Sequence, residues 1–556
     1  MESMISVYCE NTERSMDVAL GTSLVEVCRM AGLDGERRMI AAFVNNRAKE
    51  LNYRIYKPVR LRFFDATTTF GYRVYQRTLM FVAQRAVEQL YPSNKLHIRS
   101  AIGDALYCEL DERRTFSGEE CEALSRRMEH IIAENIPIER TKQPSEDVVS
   151  LFRERGYEDK EALLVSRPRL YSSVHRMAST VGYFFGPLAP STGYIDIFEV
   201  QPHHNGFYLV LPDRHNLSVP AVVPKMEKMF SLFDDYAHWV EVLGVPTVGH
   251  LNTKIAQGDA GEIIKIAEAV HEKVLASIAD SIAEANRTRG VKLVLISGPS
   301  SSGKTTTAKR LGIQLRVLGL EPALIELDDY FVERTRTPRD ENGEYDFEAL
   351  EAIDLEQLND HLARLSAGEC VDIPRYDFIS GTRKWHEKPL QLGPRSVLIM
   401  EGIHGLNPRL TPSIPDSAKF RIYASCFTSV AMDNISRIHT SDNRLLRRII
   451  RDNAKRGYKA ADTIARWPSV RRGEEKHIFP NQENADVMFN SSLLYEISVL
   501  RSIAEPLLRE IPDTRPEYAV ARALLKFLDN FAPIALDEIP PTSILREFIG
   551  GSSFKY

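Results

Sequence analysis

The chain has 556 residues, 43% hydrophobic and 26% charged, with a net charge of −5 at pH 7. That length exceeds what one hydrophobic core serves and points to about three or four units. The composition excludes a disordered chain, and the charge excludes a globally basic nucleic-acid binder. Six scattered cysteines (Cys9, Cys28, Cys108, Cys121, Cys370, Cys426) form no C-x-x-C pair. That pattern argues for buried thiols in a reducing compartment, against a zinc ribbon or a disulfide scaffold. No apolar run approaches about 18 residues and no basic-then-apolar leader is visible, so the expectation is a cytoplasmic protein without a membrane partner.

Residues 1–65 read as a small mixed α/β unit. Residues 4–8, 40–44 and 59–64 are strand-like, and residues 23–31 (SLVEVCRMA) have helical spacing behind Gly21-Thr22. Through Gly21-Thr22-Ser23-Leu24, Ala42-Phe43-Val44-Asn45-Asn46 and Glu50-Leu51, this unit resembles a TGS domain, which implies a β-grasp fold. Residues 66–215 carry Leu90-Tyr91-Pro92, Ala101-Ile102-Gly103-Asp104 and Gly186-Pro187-Leu188-Ala189-Pro190-Ser191-Thr192-Gly193. These resemble the second additional, editing-like α+β domain of threonyl-tRNA synthetase. That family's editing site uses an H-x-x-x-H pair and a later Cys and His. Here those positions fall at Arg77, Phe81, Phe184 and Leu188, which cannot replace imidazole or thiolate, so editing chemistry is read as lost. His175, His203, His204 and His215 lack ligand spacing. RNA or ligand contact by this half stays open, as does oligomerisation.

Residues 216–288 read as a connector, punctuated by Pro220, Pro224 and Pro246 and ending in a long helix over 261–285. Residues 289–512 then hold the chemistry, and 513–556 a helix followed by a flexible tail. Residues 291–297 (VKLVLIS) form a buried strand, Gly298-Pro299-Ser300-Ser301-Ser302-Gly303-Lys304-Thr305 fits G-x-x-x-x-G-K-[ST], and 305–315 reads as a helix. This strand–loop–helix order makes a phosphate-binding loop, with Thr306 continuing it. Lys304 is expected on the β- and γ-phosphates and Thr305 on Mg²⁺. A second strand over 323–327 ends in Asp328-Asp329-Tyr330-Phe331, where Asp328 is the candidate general base and Asp329 suits a helix cap. A third over 397–400 ends in Glu401-Gly402, where the acid suits the outer shell of Mg²⁺. Tyr376 is placed to stack on a base and Asp346 to take ribose hydroxyls. Arg383 and Arg448 are assigned to the acceptor. Arg444, Arg447, Arg448 and Arg451 share one helix side, where a guanidinium would cover the transferring phosphoryl group.

These ordered motifs resemble the uridine kinase and phosphoribulokinase family. The resemblance implies an α/β P-loop kinase with a parallel sheet, using ATP and Mg²⁺ on a sugar hydroxyl, most simply the 5′-hydroxyl of a nucleoside. It implies Asp328 as base, Asp346 and Tyr376 on the nucleoside, and the arginine helix, with Arg447 and Arg451, in the lid. Uridine kinases carry a His where this chain has Gly381, which leaves the base open. The alternative is a nucleotide-dependent regulator that binds RNA or tRNA without nucleoside turnover. A GTPase ranks last, because no N-K-x-D motif follows a suitable strand.

Overall fold

The computed structural model describes residues 3–556 apart from 34, 36, 37, 112–114, 168, 341, 342 and 379. Ile379, within the acceptor-loop run 374–383, therefore lies outside the described residues. The P-loop strand Leu293–Ser297 is buried along its whole length, as a strand covered on both faces must be. It is the middle strand of a five-stranded parallel sheet. Ser396–Glu401 and then Glu321–Glu326 lie on one side, and Lys419–Ser425 and then Val487–Asn490 on the other. The connections therefore leave the first strand in both directions, which opens a crevice at its C-terminal end. Ser297, Glu326 and Glu401 all sit at that end. The expected helix after the loop is Lys304–Val317, and the arginine helix is Thr440–Arg456.

The N-terminal residues form a five-stranded sheet in the order Arg14–Ala19, Met4–Cys9, Val59–Phe64, Ala41–Val44, Arg47–Glu50, with Met4–Cys9 and Val59–Phe64 parallel. One helix, Leu24–Met30, crosses it behind a capping box of Ser23 and Glu26. Next comes the 22-residue helix Thr69–Leu90, largely buried between a four-stranded and a three-stranded antiparallel sheet.

The packing does not stop at the boundaries drawn at 215 and 288. Val148, Phe152 and Leu163 share one apolar core with the 30-residue helix Ala260–Arg289 and with the kinase residues Leu446 and Ile449. Conversely Ile435, from the kinase segment, is buried in the synthetase-like core beside Tyr72 and Phe81. Polar contacts fix the same seam. Lys160 sits between Asp159 and Asp433, each 3.4 Å away and all buried, and Arg73 holds Asp442 at 2.8 Å. The C-terminal tail corrects an expectation of flexibility. Ile534, Ile539, Ile544, Leu545 and Phe548 are buried, which returns the tail to the phosphate loop.

Candidate active site

The phosphate loop needs its glycines for stated reasons. A Cβ on Gly298 would lie 1.9 Å from the Ala424 carbonyl oxygen. Gly303, with φ +80°, caps the following helix without a side-chain hydrogen bond, and Ser301 also takes a positive φ of 59°. The first-turn N–H groups of that helix have no intrahelical partner, as at any helix N-terminus, and the helix begins at the loop's C-terminal end. The Ser301 and Ser302 hydroxyls are buried without hydrogen-bond partners, Lys304 Nζ donates to the Pro299 carbonyl at 3.2 Å, and the Thr305 hydroxyl donates to Glu401. Unpaired buried donors beside a helix N-terminus fit a polyphosphate.

The loop is clasped from behind. Arg444 donates to the Ser300 carbonyl at 3.2 Å and pairs with Glu474, whose carboxylate accepts from the Ser300 N–H at 3.2 Å. Arg447 reaches the Ser301 carbonyl at 3.4 Å and pairs twice with Glu496, at 2.9 and 2.6 Å. Arg444 and Arg447 are both fully buried. This corrects the expectation that Arg447 covers the transferring phosphate: its guanidinium is committed to Glu496 and Ser491 and supports the loop. Arg448 and Arg451 are less enclosed. Arg448 donates to the Ser300 hydroxyl at 2.9 Å, and Arg451 pairs with Asp452 at 3.1 Å. Glu474, Glu496 and Arg456 are the members of this cluster that sequence reasoning missed.

Four acids gather at the strand ends. Burial raises the Asp328 carboxyl, against the pull of Lys304, Arg456 and Arg451. Burial and the neighbouring carboxylates push Glu401 up to about 8 and Glu326 up to about 7. Asp329, expected as a cap, instead accepts from the Tyr376 N–H at 3.3 Å and faces His386 at 3.5 Å. A cavity of about 340 Å³ runs beside them, lined by Thr305, Lys309, Glu326, Asp329, His386 and Glu401. Among the described residues no three Asp, Glu, His or Cys side chains form a ready metal cage. Crowded carboxylates beside a phosphate loop fit Mg²⁺ shared with a nucleotide, since that ion keeps water and phosphate ligands.

On the acceptor side, Tyr376 is buried in an aromatic cluster, 5.6 Å from Phe331 and 5.1 Å from Phe378. Phe378 is the exposed member, with the Arg456 guanidinium 5.4 Å over its ring. Asp346 accepts from the Glu348 N–H at 3.0 Å. Burial pushes the carboxyl of Glu348 up to about 7, and one of its oxygens is buried without a hydrogen-bond partner. Arg383, expected on the substrate, is turned inward. It donates to the Phe331 and Tyr330 carbonyls, at 2.6 and 2.9 Å, and to Asp354 and Gln357. Four of its five N–H donors are thereby used as a brace of the acceptor loop. Gly381 has φ +71°, and a Cβ there would lie 2.8 Å from Arg334, so a histidine does not fit this backbone. Thr306 is fully buried, and its hydroxyl contacts Glu547 at 2.6 Å and the Tyr556 hydroxyl at 2.8 Å. The tail thus covers one flank of the phosphate-loop helix.

The synthetase-like positions are filled. Phe81 and Phe184 meet edge to face at 5.1 Å, Leu188 is fully buried, and Arg77 donates to the Pro187 carbonyl at 3.0 Å. His175 pairs with Glu50 at 2.8 Å.

Residues 293–498 match the model of the Phosphoribulokinase / Uridine kinase family. The uridine kinase of Mycoplasma pneumoniae is 31% identical over 40% of this chain and 96% of its own length. That of Staphylococcus aureus is 28% identical over 36% of this chain and 87% of its own. The N-terminal region matches threonine–tRNA ligases, that of Clostridium kluyveri at 27% identity over 34% of this chain. The chain spans only 30% of that ligase's length. Among the described residues no helix is long and apolar enough to cross a membrane. Phosphate loop, strand order, carboxylate cluster and sequence match together place the chain in the phosphoribulokinase/uridine kinase family, fused to a threonine–tRNA-ligase-like N-terminal half.

Proposed function

We propose that this chain is an ATP- and Mg²⁺-dependent kinase that phosphorylates a hydroxyl of a nucleoside or a related ribosyl compound. The observation that carries the reading is Asp328, half-buried within the electrostatic reach of Lys304 at the mouth of a phosphate loop with unpaired donors. The loop N–H groups and Lys304 bind the β- and γ-phosphates. Thr305 and, through water, Glu401 would hold Mg²⁺, which neutralises phosphate charge when bound. Asp328 accepts the proton of the attacking hydroxyl as that oxygen bonds to the γ-phosphorus and the bond to ADP breaks. Arg448 and Arg451, the less enclosed arginines of that helix at 14% and 16% side-chain exposure, offset the charge that spreads over the transferring group. Asp346 and the Tyr376–Phe378 aromatics shape the acceptor end. With glycine at 381, no imidazole stands there to read a pyrimidine.

The test supplies ATP and Mg²⁺ with uridine, cytidine, adenosine, guanosine, inosine or ribulose 5-phosphate, and follows ADP release and product mass. A nucleoside monophosphate from at least one substrate is expected. ADP release with none of them, alongside tight tRNA binding, would replace this reading with a nucleotide-dependent RNA regulator.

A further inference from the structure

The family match stops at residue 498, yet residues 544–556 reach back to the phosphate loop. Thr306, which continues that loop, is fully buried, and its hydroxyl is engaged from outside the kinase segment. It donates to Glu547 at 2.6 Å and lies 2.8 Å from the Tyr556 hydroxyl. Thr306 has a single O–H, so Tyr556 donates to Thr306 in turn. The neighbouring Thr307 shows the ordinary alternative. Its hydroxyl donates back to the Gly303 carbonyl at 2.8 Å, within its own helix. Thr306 instead finds partners 241 and 250 residues further along the chain.

The same segment is wedged between two helices. On the phosphate-loop helix Lys304–Val317, Ile544 packs so closely that a Cβ on Gly303 would lie 2.7 Å from its side chain, and Lys309 donates to the Lys555 carbonyl. On the arginine helix Thr440–Arg456, the Arg447 guanidinium lies 5.0 Å over the Phe548 ring. Tyr556 meets both helices. Lys309 Nζ is 4.4 Å and Lys455 Nζ 4.1 Å from the centre of its ring. Ile544 and Phe548 are buried and anchor the segment, whereas Tyr556 is 46% exposed. An aromatic ring held by one lysine from each helix fixes their spacing. Glu547 is only 7% exposed, and enclosing an acid in this way is unfavourable unless a partner meets it. The partner here is a hydroxyl of the phosphate-loop helix.

We propose that residues 544–556 complete the nucleotide site, with Glu547 and Tyr556 as positioning residues that hold the first turn of the phosphate-loop helix against the arginine helix. The inference rests on the nucleotide site of the kinase reading and not on its acceptor. First-turn N–H groups bind phosphate when that turn is set to receive it. A segment that sets the turn is in turn seated more firmly when nucleotide is bound, because linkage between two binding events is reciprocal. Both positioning residues lie outside the segment that matches the family model, so this support belongs to the fused chain.

The test is binding of a non-hydrolysable ATP analogue with Mg²⁺ to the full-length protein, followed by calorimetry and by amide hydrogen exchange. With the analogue at about ten times its Kd, exchange at residues 544–549 should slow by up to about tenfold, while helix Leu24–Met30 is unchanged. Tyr556→Phe keeps the ring between the lysines and removes the O–H. It should weaken the analogue by about three- to tenfold. Thr306→Val removes the middle member of the relay, so adding Tyr556→Phe to it should weaken binding no further. Exchange at 544–549 that ignores the analogue, a Tyr556→Phe protein that binds as tightly as the unaltered one, or losses that add in the double variant would each overturn the proposal. The exchange measurement needs no variant, so misfolding of either variant leaves it decisive. An unaltered protein that fails to bind the analogue would remove the nucleotide site itself, and the proposal with it.

Discussion

The crevice at the end of the parallel sheet and the Phe81–Phe184 position of the synthetase-like half are built from opposite kinds of side chain. In the synthetase-like half, Phe81, Phe184 and Leu188 fill the space with carbon, and Arg77 is spent on a carbonyl. In the kinase half, serine hydroxyls stay unpaired, and burial first and then a neighbouring carboxylate raise Glu401. At the Phe81–Phe184 position carbon leaves no polar group to meet a ligand, whereas in the crevice the loop serines present buried hydroxyls where a phosphate would lie. The same contrast separates neighbours on one helix: Arg447 is fully paired and buried, and Arg451 is not.

Substitutions can break this comparison. The largest effect is expected from Asp328→Asn, a loss in kcat of roughly 10²–10⁴-fold with the fold retained, measured by ADP release. Near-normal turnover would remove Asp328 from the chemistry. Next comes Arg447→Ala, which strands Glu496 without its partner. It should destabilise the chain by about 3–5 kcal/mol in denaturant titration. A lid arginine would instead lower kcat and leave stability alone. Phe81→Ala should cost a similar amount, about 3–5 kcal/mol, through the cavity it leaves, with KM for ATP unchanged. A selective loss of turnover in that variant would mean the synthetase-like site still takes part in the reaction.

The smallest expected effect concerns pH. Glu401 and Glu348 are pushed up to about 8 and 7 in the folded chain from an ordinary 4.5. Folded protein then holds protons that unfolded protein has released. That stability is present below the unfolded value and is lost as pH rises through 7–8. Buried His404, pulled down to about 4, acts oppositely, and its contribution is lost as pH falls below its ordinary value of 6.5. Between pH 6.5 and 8.5 the carboxylates therefore set the slope. The Tm of nucleotide-free protein should fall across that window, and Glu401→Gln should flatten the fall by about 2–4 °C. An equal slope in both proteins would mean that Glu401 ionises normally.

The phosphate loop was legible in the sequence because strand, turn and helix are contiguous and each has a local signature. So were Asp328 and Glu401, which follow from the C-terminal ends of parallel strands, the edge strand Glu321–Glu326 and the buried strand Ser396–Glu401. The clasp behind the loop was not. Glu474 lies 174 residues from Ser300, Glu496 reaches the loop only through Arg447, and each reads as an ordinary helix glutamate. Helical spacing told which arginines share a side but not that this side faces inward, since charged side chains are seldom fully buried. Arg383 misled for the same reason. The tail was misread because Ile539, Ile544 and Phe548 follow no helical or strand period, and its prolines suggest a loose end. The positive φ that excludes histidine at 381 leaves no trace in the sequence beyond the glycine itself.

The central claim is that Asp328 takes the acceptor's proton. The most direct measurement is the structure of the protein with a non-hydrolysable ATP analogue and the nucleoside that the turnover assay selects. A carboxylate oxygen of Asp328 is expected within about 2.6–3.2 Å of the acceptor hydroxyl, with that hydroxyl oxygen in line with the bond from the γ-phosphorus to the leaving oxygen. A bound nucleoside whose hydroxyl meets another base, with Asp328 directed away from it, would contradict the account.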